Sequence, residues 1–158
     1  MIVVFSGLRD LAPESRSAIV FAVGEEIVKL PAELRFGGAL GCDHAALAAA
    51  IQYRHSLGDT RLTVVVPFMV GEQPVSTREQ IREAHRVVEM RLERSKAAYL
   101  RRNDTMLAGD RWYELLPATK LVAFTDGRET GGTAYTIRKA RELGIETKIV
   151  AVRALDAT

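Results

Sequence analysis

Lys120-Leu121-Val122-Ala123-Phe124-Thr125-Asp126-Gly127, continued by Arg128-Glu129-Thr130-Gly131-Gly132-Thr133-Ala134, is the stretch on which the fold turns. Its first residues form a short apolar run of the kind that makes a buried strand. The chain then breaks at Asp126-Gly127 and reaches a glycine pair just before a helical pattern. A strand that feeds glycines and then a helix aims backbone N–H groups at an anion. The same design occurs earlier, where Leu34-Arg35-Phe36 runs into Gly37-Gly38-Ala39-Leu40-Gly41-Cys42-Asp43 and an alanine-rich helix from His44.

Working outward, residues 2–6 (Ile-Val-Val-Phe-Ser) read as a central strand, broken by Gly7-Leu8-Arg9-Asp10. Pro13-Glu14 opens a helix that carries Ile19, Val20, Val23, Ile27 and Leu30 and stops at Pro31. A strand at 33–36 precedes the alanine-rich helix, for which Asp43 is placed as a cap. Gly58-Asp59 ends that helix, and Leu62-Thr63-Val64-Val65-Val66 is the clearest strand. Ser76-Thr77-Arg78-Glu79 matches a capping box and predicts a long helix over 77–100, with Ile81, Ala84, Val88, Leu92 and Tyr99 on its buried stripe. Its arginines alternate with glutamates, the pattern of a solvated face. A shorter helix is expected over 105–116, then a strand at 121–125, a helix at 132–143 and a last strand at 147–152.

Strands alternate with helices, which predicts an α/β fold: a Rossmann-like three-layer sandwich around a five-stranded parallel sheet. The expected order, in strands numbered along the chain, is 3-2-1-4-5. Ligands of such sheets sit beyond the strands' C-terminal ends where the order reverses. Three loops should meet there: Gly7–Asp10, Gly37–Asp43 and Asp126–Thr133.

The chain of 158 residues is read as one domain, 1–158, with enough apolar residues for a single core. A net charge of +2 does not by itself argue for nucleic acid. Cys42 is the lone cysteine, so neither a disulfide framework nor a cysteine-based zinc site is expected. The apolar start at Ile2 lacks the basic flank and length of a signal peptide, and no apolar run approaches a membrane span. The reading is a cytoplasmic protein without a membrane partner.

Gly131, Gly132 and Thr133 are the candidates to hold a phosphate. The stretch is not a P-loop, because Thr133 stands where the lysine should be and Ala134 where the hydroxyl should be. A dinucleotide fingerprint is absent too, since G-x-G-x-x-G does not occur around Gly38 and Gly41. Those two glycines are read as permitting close approach to a ligand, as is Gly7 in the first loop. Asp43 is a carboxylate at the pocket edge, able to accept from a sugar hydroxyl or a base. Arg9 and Arg102 suit phosphate contact, Asn103 adds a polar group, and Asp126 is a second carboxylate. His44, His55 and His85 show no ligand spacing, so no metal is expected, and Ser6 and Ser17 lack a histidine partner for a triad. No cofactor is expected.

Together these residues carry a resemblance. Phe5-Ser6-Gly7-Leu8-Arg9-Asp10-Leu11 resembles the first loop of the SLOG superfamily, the Smf/DprA–LOG Rossmann-like proteins. Gly37 to Asp43 is similar to the family's second loop, and Arg102-Asn103 with Leu121–Phe124 and Gly131-Gly132-Thr133-Ala134 to its third and fourth parts. The resemblance implies a nucleotide or nucleotide-derived ligand over the C-terminal edge of the sheet. It also implies two alternatives. LOG enzymes are phosphoribohydrolases with a P-G-G-x-G-T-x-x-E run; here the run is Glu129 to Ile137, and no glutamate follows the glycines. Such an activity would leave Asp43 and Asp126 as the carboxylates for acid–base work. DprA-type proteins bind single-stranded DNA with the same edge, for which Tyr99, Trp112 and Tyr113 are the local stacking candidates. The favoured expectation is a carrier or sensor of a small nucleotide-like ligand. A homo-oligomer, if formed, would use the helix at 77–100.

Overall fold

The computed structural model describes residues 1–156. Its elements alternate: β1 (Ile2–Gly7), α1 (Arg16–Ile27), β2 (Glu33–Phe36), α2 (Cys42–Gln52), β3 (Arg61–Val66), α3 (Val75–Arg82), β4 (Arg86–Glu89), α4 (Lys96–Ala108), β5 (Lys120–Thr125), α5 (Gly132–Glu142) and β6 (Glu146–Ala151). All strand pairs are parallel, in the order β4-β3-β2-β1-β5-β6. The expected order is therefore present as the five inner and right-hand strands, and a sixth strand, β4, extends the edge beyond β3.

Alternation along each strand divides the core. Val3 and Phe5 of β1, Leu34 and Phe36 of β2 and Val122 and Phe124 of β5 face the layer of α1 and α2. Val4, Val65, Leu121 and Ala123 face the opposite layer, with Met106 and Leu107 of α4 and Ala140 of α5. The rings of Phe36, Phe5 and Phe124 stack across three neighbouring strands, with centroids 5.3 and 6.2 Å apart. That aromatic row lies under α2, whose alanines 45, 46, 49 and 50 let the helix sit close on it. Two buried cations brace the frame. Lys120 Nζ lies 2.5 Å from Glu26 Oε1, tying β5 to α1. Arg35 lies fully buried, pairs with Glu33, and donates to the Met106 carbonyl at 2.8 Å in the last turn of α4.

The long helix over 77–100 does not exist. Val87 packs on the α1–α2 side of the sheet and Val88 on the other. Adjacent β-branched residues buried on opposite faces satisfy a strand and not a helical stripe. The charged neighbours are tied down as well: Arg86 donates to the Tyr113 and Glu114 carbonyls, and Glu89 Oε2 accepts from the Val70 amide at 2.7 Å. The capping box fails with the helix. α3 starts two residues earlier, after Pro74, and the Thr77 hydroxyl donates to the Pro74 carbonyl at 2.8 Å. Ser95 is the residue that caps, accepting from the Ala98 amide at the start of α4. The expected helix over 105–116 is divided between the end of α4 and a tight turn closed by Asp110 and Leu115. The dimer face assigned to 77–100 disappears with its helix. Leu30, expected on the core face of α1, is exposed at a positive φ of 49°.

Candidate functional site

The order reverses between β1 and β5, and the loops that leave them open side by side at the C-terminal edge of the sheet. A cleft of about 640 Å³ lies there. Its walls come from the three expected loops and from one further element, the first two turns of α4. Gly7 and Arg9, Asp43, Arg102 and Asn103, and Gly131, Gly132 and Thr133 all line it. Gly38, Gly41 and Asp126 do not.

The floor is a buried polar network on α4. Arg102 and Asn103 sit mid-helix instead of at a helix end, and both are buried. Arg102 donates from Nε to Asn103 Oδ1 at 2.7 Å and from Nη1 to the Gly37 carbonyl. Asn103 Nδ2 donates to Thr136 Oγ1 at 2.9 Å, and that hydroxyl donates to the Gly132 carbonyl at 2.8 Å. One chain of bonds thus runs from the second loop, through α4, to the glycine pair. Thr136→Val keeps the side-chain volume and removes both of its bonds. The expected loss is about 1–2 kcal/mol in urea unfolding, and an unchanged midpoint would mean the chain does not hold the loop.

Asp43 is not the cap of α2. That position is Gly41, at φ 76° and ψ −122°. Asp43 is in the first turn and its Oδ2 accepts from the Ala39 amide at 3.3 Å. Burial raises its pKa above the ordinary 3.8, opposed chiefly by the Arg102 charge. Burial likewise lowers the pKa of Arg102, opposed by Asp43. Gly37 makes the approach feasible: a Cβ there would stand 2.8 Å from both the Arg102 guanidinium and Asp43 Oδ2. Behind the loop, burial and then Asp43 push the Cys42 thiol up to about 12, so it stays protonated and unreactive.

Above this floor the cleft is cationic. Arg9 lies 4.3 Å over the face of Tyr99, whose edge meets Phe68. Lys96, Arg128 and Arg138 complete the rim. Arg128 bridges Asp10 of the first loop and Asp126 of the last, at 3.2 and 2.9 Å. That bond to Arg128 holds the Asp126 carboxyl below its usual range. The glycine turn itself is open. Gly131 caps α5 at φ 96° without a side-chain bond, and a Cβ on Gly131 or Gly132 would meet nothing within 4 Å. The first-turn N–H groups of a helix lack intrahelical acceptors, so this end presents donors to the cleft.

Gly38 and Gly41 serve the protein itself. Gly41 lies against the Leu8 and Arg9 carbonyls, and Gly38 against Val66, Ile81 and Val64. The cleft also takes Lys96, Arg128, Tyr135 and Arg138, which no sequence motif marks. Arg138 stands six residues after Gly132, within the first two turns of α5, and that spacing was the available signal.

No family model matches the chain, and no curated protein matches it in sequence. Solved structures do. DNA processing protein A (DprA) from Streptococcus pneumoniae superposes with a TM-score of 0.69 at 14% identity, over 93% of this chain and 49% of that one. The fold is DprA-like. A second DprA structure, from Helicobacter pylori and described for its single-stranded DNA binding mode, gives a TM-score of 0.67 at 20% identity, over 94% of this chain. The present chain spans about half of the pneumococcal DprA and 64% of the Helicobacter one. The likeness covers both layers and the sheet between them, and it agrees with the fold implied by the SLOG resemblance. Among the described residues no helix is long and apolar enough to cross a membrane.

Proposed function

We propose that the cleft binds the phosphate of a nucleotide carried in single-stranded nucleic acid. The observation that carries this reading is the uncapped start of α5, Gly131-Gly132, opening into the same cleft as Arg9, Lys96 and Arg138. Backbone donors at a helix N-terminus and flexible cations together suit a phosphodiester. The likeness to DprA supports a nucleic-acid strand as the form in which the nucleotide arrives.

A second reading, a free nucleotide held by a carrier or sensor, is favoured by two features. The cleft has the volume of a small-molecule site. Stacking surface is scarce: Tyr99 already carries Arg9 on its ring, the Tyr135 hydroxyl is tied to Asp104, and Trp112 and Tyr113 do not line the cleft.

Fluorescence anisotropy with labelled dT12, and competition by thymidine monophosphate, separates the two. Gly132→Asp sets a carboxylate in the donor cradle and should weaken binding by roughly 100-fold, the effect of about 3 kcal/mol of like-charge repulsion. Binding of dT12 should also fall with salt, by about 0.7 in the logarithmic slope for each phosphate engaged. Affinity indifferent to Gly132→Asp would place the ligand elsewhere.

A further inference from the structure

Arg9 has a cleft on each side. The second is a smaller concavity of about 320 Å³, lined by Arg9, Arg16, His44, Ser76 and the turn at Leu40-Gly41. It contains two arginines and no carboxylate. Among the described residues neither Arg9 nor Arg16 forms an ion pair. Arg16 is exposed in the first turn of α1 and has no protein hydrogen-bond partner to explain its place there. His44 Nδ1 is buried without a partner. Burial, and then the Arg16 charge, lower the pKa of this imidazole. Two arginines without an ion pair, lining one concavity that holds no carboxylate, are the chemistry of an anion seat.

We propose that this concavity seats the phosphate adjacent to the one in the main cleft, so that a strand of at least two nucleotides crosses the ridge at Arg9. The inference rests on the nucleotide reading of the main cleft and adds direction to it. A mononucleotide occupies one side of Arg9, and a dinucleotide diphosphate occupies both. Arg9 then contacts the strand from between the two phosphates, while Arg16 and the His44 and Ser76 side chains hold the outer one.

Thymidine monophosphate and the 5′-phosphorylated dinucleotide pdTpdT are the probes, titrated calorimetrically against the wild type and against Arg16→Ala and His44→Ala. The dinucleotide should bind the wild type about tenfold more tightly than the mononucleotide, the worth of one charge-assisted contact. Arg16→Ala should remove that gain and leave the mononucleotide affinity as it was. The imidazole resonance of His44 should move with pdTpdT and stay still with thymidine monophosphate. A wild type with no dinucleotide gain, or a gain that survives both substitutions, overturns the second seat and leaves the main cleft untouched. Binding of pdTpdT that is lost in Arg16→Ala yet indifferent to Gly132→Asp overturns the main cleft instead. If neither probe binds, both fall together.

Discussion

Arg102→Met is expected to cost about 2–6 kcal/mol of stability, since it leaves two buried acceptors without their donor at about 1–3 kcal/mol each. Methionine fills much of the space, so the loss is electrostatic and polar. The Gly37 carbonyl and Asn103 Oδ1 each lose their donor, and Asp43 keeps its burial without the cation that opposes it. The pH dependence identifies the cause. Asp43 has a folded pKa above its ordinary 3.8, because burial outweighs Arg102. Such a group contributes its full stability below 3.8 and loses it as pH rises through the folded value. Removing Arg102 raises that folded value further, so the deficit of the variant should shrink as the pH falls toward 3.8. Asp43→Asn in the Arg102→Met background should recover part of the loss in a double-mutant cycle. Urea unfolding across pH is the measurement. A deficit that stays flat with pH would show that Arg102 is held for its hydrogen bonds and not for Asp43.

Arg102 also shows what a sequence can and cannot disclose. The two glycine turns were legible because glycine punctuates a chain locally, and the apolar runs on either side of them fix strands. From those strands the reversal between β1 and β5 followed, and with it the edge at which Gly7, Arg9, Asp43 and Gly131–Thr133 meet. Arg102 and Asn103 were noticed as polar residues at a helix end. Nothing local reveals that this polar pair lies buried in mid-helix, because its partners are 65 and 33 residues away in the chain. The edge strand β4 was hidden for a related reason. It has four residues, no flanking glycine or proline, and one arginine and one glutamate that continue the charge spacing of a solvated helix. Their carbonyl and amide partners belong to Tyr113, Glu114 and Val70, and only the fold brings those near. The rim cations Arg128 and Arg138 carry no local motif, because their meaning depends on the width of the cleft.

Gly41→Ala should be the most damaging single methyl in the protein. Gly41 was read as room for a ligand, yet the space it leaves is filled by backbone. Its Cβ would fall well inside contact distance of the Leu8 and Arg9 carbonyl oxygens, and its φ of 76° with ψ of −122° is a conformation that side chains resist. The strain of that conformation and the overpacking each cost about 1–3 kcal/mol. The first and second loops cannot part freely, since the Cys42 amide donates to the Leu8 carbonyl at 2.9 Å. Relief must come by pushing the first loop outward, which carries Arg9 off the ring of Tyr99 and away from both concavities. A drop of roughly 2–6 kcal/mol in urea unfolding is therefore expected, and dT12 affinity should fall with it. Gly131→Ala has a similar positive φ of 96° but opens on empty space, so it should show the conformational cost alone. If the two substitutions cost the same, the crossing of the first loop over the start of α2 does not position Arg9.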